Sequence, residues 1–382
     1  MTEPAAGVSR RGMLAASGGA ALGAPGAPPG TGPERALAIL GPERLEEEAR
    51  AALPAAVYDW IAGGAGAELT QRRNRAALDA ATVTPRLLTG AGGPALSLTL
   101  LGQPLPHPVL VCPMGAQGIV HPRREVATAE GAAAAGALFM APMVATRSLE
   151  AVAAAAPDAP RWFQIYVPRD RGITLDLAAR AEAAGYGALV LTVDAPVPAF
   201  RERDLRHGFA LPPALGAGND RPDYAHALMG STDAALAWED VAWLAARTRL
   251  PLVLKGVLAV RDAARAVQVG AGAIIVSSHG GRQFDGAPAS LEALPRCVAA
   301  VGGRIPVLLD SGPRRGLDVL KALAAGAQAV AIGRPVWWGL TLGGAAGVRS
   351  VLERIVAELA SAMRLAGCGS LAEVTPDLLS GG

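Results

Sequence analysis

Short runs rich in Val, Ile and Leu recur along this chain, at residues 108–112, 137–140, 162–167, 188–193, 251–254, 273–276, 306–309 and 329–332. Such runs are too short for helices, and being apolar at nearly every position they read as strands buried on both faces. Ala-rich stretches with helical spacing separate most of them, as at 124–135, 175–184, 261–269 and 316–325. Alternation of strand and helix predicts an α/β fold with a parallel sheet, and eight repeats is the number that closes a (β/α)8 TIM barrel. A doubly wound open sheet is the alternative.

Before the repeats, residues 35–39 and 43–53 have helical spacing, with Pro42 suited to a first turn. An apolar and aromatic segment at 57–65 and a polar helix through Asn74 complete an N-terminal helical segment, and a hairpin-like piece at 96–101 ends at Gly102. The spacing is regular except after the fourth strand. There, residues 196–243 carry Leu211-Pro212-Pro213 and turn-rich polar sequence, which predicts a long loop over the site. A final helix is predicted at 348–365.

The first 32 residues differ from the rest. Ser9-Arg10-Arg11-Gly12-Met13-Leu14 leads into a mildly apolar Gly/Ala run, small residues at 24–27 and a Pro-rich stretch to Pro33. This resembles a twin-arginine export signal and predicts an exported or periplasmic protein. A disordered extension of a cytoplasmic protein is the alternative. Residues 33–382 then form a single domain.

Composition narrows the function. The 382 residues are 51% hydrophobic but only 4% aromatic, so the core is built from Ala, Val, Leu and Ile. A net charge of +2 argues against a nucleic-acid surface. Three scattered cysteines, Cys112, Cys297 and Cys368, make neither a disulfide framework nor a structural zinc site. No run is long and apolar enough for a transmembrane segment.

In a barrel of this kind, chemistry gathers at the C-terminal ends of the strands. Those ends read Pro113-Met114-Gly115, Gln164-Ile165-Tyr166, Thr192-Val193-Asp194, Lys255-Gly256, Ser277-Ser278-His279-Gly280-Gly281-Arg282, 310–316 and Gly333-Arg334. The loops after the last two strands combine glycines with Arg314 and Arg334, as a phosphate site requires, while Asp310 suits a sugar or ribityl hydroxyl. Arg315 reads as a surface charge. Gln164, Thr192 and Lys255 fit the edge of a polar heterocycle, with Lys255 placed to stabilise negative charge that develops on reduction. That describes a flavin better than a nicotinamide, and no GxGxxG follows the first strand. Tyr166, Arg201, His279 and Arg282 suit a small anionic substrate: the arginines clamp a carboxylate, Tyr166 bonds an oxygen, and His279 removes a proton. His107, His121, His207 and His226 form no metal-binding pattern, and no metal is expected.

On the segments 278–283, 310–316, 254–257 and 162–166, the chain from about residue 43 to 371 resembles the FMN-dependent α-hydroxy-acid oxidase/dehydrogenase family, which includes glycolate oxidase, lactate oxidase and mandelate dehydrogenase. The resemblance implies that Gln164, Thr192 and Lys255 contact the flavin ring, that Pro113, Met114 and Gly115 lie against it, and that Ser277 lines its site. Asp310, Ser311, Gly312, Arg314, Gly333 and Arg334 would hold the ribityl-phosphate end. His279 would be the base, Arg201 and Arg282 the carboxylate grip, Tyr166 the partner of the reacting oxygen, and Trp60 a substrate wall. The implied reaction removes the hydroxyl proton of a 2-hydroxy acid while a hydride passes to flavin N5, giving the 2-oxo acid. Oxygen, a quinone or another electron carrier would reoxidise the flavin, and a homotetramer or octamer is implied.

Some positions depart from the family. Trp60 stands in place of a substrate-binding Tyr, Pro142 in place of a flavin-contacting Ser, Val144 in place of a bulky aromatic, and Ser278 in place of Asn. Together they predict a substrate larger than glycolate, mandelate-like or branched. Gly115 stands where glycolate and lactate oxidases have Ala and mandelate dehydrogenases have Gly, which tilts the expectation toward an acceptor other than oxygen. An FMN monooxygenase, an oxidase of another alcohol, and a silent FMN-binding barrel are the competing readings.

Overall fold

The computed structural model describes residues 34–224, 228 and 230–379. The arginine pair of the predicted export signal lies outside them, as does His226. Three helices, α1 (Pro42–Ala52), α2 (Ala55–Ala62) and α3 (Leu69–Ala80), precede an antiparallel hairpin of β1 (Leu98–Leu100) and β2 (Gln103–Leu105). Eight parallel strands then close a barrel: β3 (Val109–Val111), β4 (Phe139–Pro142), β5 (Arg161–Ile165), β6 (Leu189–Thr192), β7 (Leu252–Val257), β8 (Ala273–Val276), β9 (Val307–Leu309) and β10 (Ala329–Ile332). Strand β10 pairs back onto β3, so the sheet has no open edge. The fold is the (β/α)8 TIM barrel, not the open sheet.

Helices α4 (Arg124–Ala134), α5 (Leu149–Ala155) and α6 (Arg171–Ala183) follow β3, β4 and β5. The long excursion after β6 carries the short α7 (Glu202–His207) before α8 (Trp238–Ala245). Then come α9 (Val260–Gln268), α10 (Ser290–Val301), α11 (Gly316–Ala324) and α12 (Arg334–Leu365). Two predicted boundaries are corrected. Residues 35–39 are not helical; they run along α12, where Arg35 N donates to Gly343 O at 3.3 Å and Leu37 N to Ser350 Oγ at 3.0 Å. The final helix starts at Arg334, not at residue 348, and is broken at Gly344 (φ 58°, ψ −139°). The run of glycines around that break masked its first turns.

Alternation along the strands separates two cores. Phe163, Ile165, Leu189, Leu191, Ile274 and Val276 face the helix ring. Leu110, Met140, Trp162, Val190, Val253, Ile275, Leu308 and Ala331 fill the barrel interior. The hairpin plugs the N-terminal mouth: Leu100 and Leu105 join the interior cluster, and Trp162 Nε1 donates to Gln103 Oε1 at 2.7 Å. With one mouth closed by side chains, the interior is open to ligands at the C-terminal mouth.

The helix ring is tight where α11 meets α12. A Cβ on Gly316 would lie 2.1 Å from Leu359 N and 2.5 Å from Ile355 O, both backbone atoms that cannot yield alone. Gly316→Ala is therefore expected to lower stability by about 1–3 kcal/mol, the usual cost of overpacking, read as a reduced midpoint in chemical denaturation.

Candidate active site

Two residues beyond the interior apolar layer, the same alternation points Cys112, Pro142, Gln164, Thr192, Lys255, Ser277, Asp310 and Gly333 toward the C-terminal mouth. An apolar floor is thus capped by a mostly polar layer, and the register sets it side by side: Gln164 pairs with Pro142 and Thr192 with Lys255. Gln164 Nε2 donates to Thr192 Oγ1 at 3.1 Å, and its Oε1 accepts from Met143 N at 3.2 Å, which fixes the amide. Lys255 Nζ lies 3.0 Å from Asp310 Oδ2 and 3.0 Å from Ser277 Oγ. Burial alone would lower the Lys255 pKa, but the charges of Asp310 and Asp194 overcome it and raise the pKa above its ordinary value. Lys255 is a fixed, buried cation.

One cavity above this layer is lined by Trp60, Pro113, Met114, Gly115, Gln164, Tyr166, Thr192, Arg201, Lys255, His279, Arg282, Asp310, Ser311, Gly312, Arg314, Gly333 and Arg334. Ser277 is the exception among the predicted residues. It is fully buried behind the wall, because the backbone turns over it and His279 N donates to its Oγ at 3.0 Å. It fixes Lys255 and His279 instead of lining the site.

His279 sits in a left-handed turn (φ 56°) followed by Gly280 (φ 65°) and Gly281 (φ 74°). A non-glycine residue holds such a backbone only when its surroundings enforce it. Here Ser311 Oγ accepts from Ser278 N at 3.1 Å and from Gly280 N at 2.8 Å. His279 Nδ1 lies 2.9 Å from Asp194 Oδ1, which leaves Nε2 as the nitrogen free of that contact. Burial would raise the Asp194 carboxyl, yet the charge and hydrogen bond of His279, with Lys255 beyond, hold it below the ordinary carboxylate range. Gly256 makes room for this pair, since a Cβ there would meet Asp194 Cγ at 2.5 Å.

Cations dominate the rest of the wall. Arg282 Nη1 donates to the carbonyls of Trp60 at 2.6 Å and Gly63 at 2.9 Å, and its guanidinium lies 5.5 Å from the Trp60 ring centre. Burial, and then Arg201 and Arg334, hold the Arg282 pKa well below the usual arginine range. Burial lowers Arg201 as well, and burial followed by Arg314 brings Arg334 down to about 10. Arg334 donates to the carbonyls of Ile61, Gly63 and Gly280 and to Gln71 Oε1, with no carboxylate as a direct partner among the described residues. Cations depressed by burial and by one another are stabilised when an anion enters. At the far rim Arg314 Nη1 is held by Glu46 Oε2 at 2.7 Å, and Arg314 N donates to Asp318 Oδ2 at 2.8 Å. Arg315, half-exposed, pairs with Glu43.

Several residues here escaped sequence reasoning. Asp194 was visible at a strand end, but its pairing with His279 spans 85 positions. Asn74, Gln71 and Trp337 line the cavity from the N-terminal helices and α12, where periodicity marks them only as helix positions. Ser278 accepts from Asn74 Nδ2 at 2.8 Å and faces α3. His107 is buried against Ala135 O at 2.8 Å, and His207 bonds Asp59. No group of His, Cys, Asp or Glu among the described residues could hold a metal.

The family model for FMN-dependent dehydrogenases matches residues 49–381. The chain belongs to this family. An L-lactate oxidase from Nostoc sp. is 47% identical over 361 residues, covering 90% of this chain and 99% of that protein. The glycolate oxidase of Spinacia oleracea is 42% identical over 351 residues, covering 89% of this chain and 95% of its own. A solved mandelate oxidase with (S)-2-phenylpropionate superposes with a TM-score of 0.82 at 43% identity, covering 88% of this chain and 97% of that one. The cofactor of the family is FMN, and the site fits it. A hydrogen-bonding layer of Gln164, Thr192 and Lys255 suits the heterocycle, and the cation-rich end at Arg314 and Arg334 suits a phosphate.

The lowered Asp194 carboxyl gives a pH-dependent stability. Its contribution is complete above the unfolded value of about 3.9 and is lost as the pH falls through the lower folded value. Asp194→Asn is therefore expected to be less stable than the parent at pH 7, with the gap closing as the pH falls into the acid range. Urea denaturation across that range checks it.

Proposed function

We propose that this FMN enzyme oxidises a 2-hydroxy acid with an aromatic or branched side chain to the 2-oxo acid. The observation that carries the reading is His279, paired with Asp194 at 2.9 Å and lining one cavity with Arg201, Arg282 and Tyr166. Bound FMN supplies a two-electron acceptor for the hydride from C2 of the substrate. Gln164, Thr192 and Lys255 would face its ring, and Asp310, Ser311, Gly312, Arg314, Gly333 and Arg334 its ribityl phosphate. Arg282 meets a carboxylate with the guanidinium nitrogens that its backbone contacts leave free, and Arg201 meets it from the long loop. Tyr166, whose pKa burial and then Asp194 raise, stays a neutral hydrogen-bond donor to the reacting oxygen. His279 Nε2 takes the hydroxyl proton, and Asp194 stabilises the imidazolium that results.

The side-chain reading is supported by Val144, Pro142 and Leu211, which line the cavity with little bulk, and by the similarity to a mandelate oxidase. Oxygen is the acceptor we favour. A Cβ at Gly115 would lie 2.5 Å from Val144 O, so the missing side chain there is matched by backbone, which weighs against reading Gly115 as a sign of another acceptor. Lactate, glycolate and mandelate oxidases among the similar proteins support the same choice. A homotetramer or octamer and export through the Arg10-Arg11 signal belong to the proposal as well; the first draws support from the exposed Phe200 and Phe284 at the rim.

Anaerobic mixing with a panel of (S)- and (R)-2-hydroxy acids tests the reading by flavin bleaching. A mandelate-like or branched acid is expected to bleach fastest, and air to restore the colour rapidly with release of hydrogen peroxide. Rapid recovery only on adding a quinone would overturn the choice of oxygen. His279→Gln is expected to keep FMN and to slow bleaching by about a hundredfold or more, the loss of a general base.

A further inference from the structure

The part of the long loop that faces the site, residues 200–211, has little apolar anchorage. Its only helix, α7, is six residues long and buries none of them, and a helix that short does not hold itself together in water. Yet the segment carries Arg201, whose charge opposes that of the buried Arg282. The direct contacts of Arg201 are weak: Asp204 Oδ2 at 3.8 Å and the Arg282 carbonyl at 3.4 Å.

What resists that repulsion is a set of contacts to the turn between α2 and α3. Gly66 N donates to Phe200 O at 2.9 Å, and Gly66 bridges Arg201 in parallel. Arg203 reaches Asp59 Oδ1 with Nη1 at 3.1 Å and Glu68 Oε2 with Nη2 at 2.7 Å. His207 Nε2 lies 2.8 Å from the other oxygen of Asp59. The Phe209 ring packs 6.1 Å from Trp60, the residue next to Asp59. Glu68 is itself pre-set, since its Oε1 accepts from Gly64 N at 2.9 Å. Asp59 and Glu68 are mostly buried and Arg203 is 30% exposed, so their pairing survives part of the solvent screening.

We propose that Arg203, clasped by Asp59 and Glu68, is a positioning residue that latches the long loop onto the N-terminal helices and so holds Arg201 over the substrate carboxylate. Trp60 serves the same docking as the platform for Phe209. The proposal rests on the reading of Arg201 as a carboxylate ligand. The loop end of the latch lies outside the barrel, and neither Arg203 nor Glu68 touches the cavity, so breaking it leaves His279, Asp194 and the FMN-facing residues in place.

The test uses FMN-loaded enzyme and the 2-hydroxy acid that bleaches it fastest. Arg203→Met is expected to raise KM about tenfold while the maximal bleaching rate stays within about twofold, the signature of lost substrate binding. Arg203→Lys, close to methionine in length but still a cation between Asp59 and Glu68, is expected to recover most of that loss, which a role in packing alone would not require. Unchanged KM in Arg203→Met, or an equal fall in the maximal rate, overturns the proposal. If no 2-hydroxy acid bleaches the parent enzyme, the functional reading has failed, and amide hydrogen exchange decides the latch alone. Faster exchange at Gly66 and across residues 200–209 in Arg203→Met supports it, and unchanged exchange overturns it.

Discussion

Closure of eight parallel strands is the constraint on which everything else here depends. A closed barrel has no edge strand to satisfy, and it forces alternate residues of every strand inward. The inward set is apolar through Leu110, Met140, Trp162, Val190, Val253, Ile275, Leu308 and Ala331, then turns mostly polar one step later. Because the hairpin plugs the other mouth, the polar layer is the surface on which a ligand can rest. The Lys255–Asp310 ion pair, buried at 3.0 Å, belongs to this layer and costs desolvation that apolar residues would not. That cost fits the proposed role of Lys255 as a cation that would stabilise negative charge on a bound flavin.

The site divides by charge. Asp194 is committed to His279, Asp310 to Lys255 and Glu46 to Arg314, while Asp204 stands only 3.8 Å from Arg201. Among the described residues, Arg282 and Arg334 hydrogen-bond only to backbone carbonyls and Gln71, which orient them without neutralising them. The cavity therefore carries an excess of positive charge in a low-dielectric setting, where an entering phosphate or carboxylate is bound more strongly than at the surface. Orientation by carbonyls and neutralisation by ligand is an economical way to prepare a site for two anionic groups.

Positions that differ from the family gain different meanings in three dimensions. Gly115 reads in sequence as extra space beside a flavin, but its missing Cβ is the room that Val144 O occupies. Trp60 reads as an altered substrate wall. In the fold it also stacks edge-on with Trp337 at 6.0 Å, carries Arg282 on its face and meets Phe209 of the long loop. Its size serves packing among elements that the barrel alone does not join.

The chain by itself determined the eight strands, their order and the residues at their ends, because short, nearly continuous apolar runs and Ala-rich helical spacing are local signals that survive in one dimension. It also carried His279, Arg282, Lys255 and the 310–316 loop in recognisable form. Element ends suffered where glycine blurred the pattern, as at Gly344, and where chain with helical spacing instead runs non-helical along α12, as at residues 35–39. The tertiary structure alone decided the partners: Asp194 for His279, Ser277 behind the wall, Glu46 for Arg314, and Asp59 with Glu68 for Arg203. Each such contact joins residues whose spacing follows no period, set by the closing of the barrel and the docking of the N-terminal helices across its mouth. Local periodicity determines what each segment becomes; only closure brings charges from distant segments within hydrogen-bonding distance.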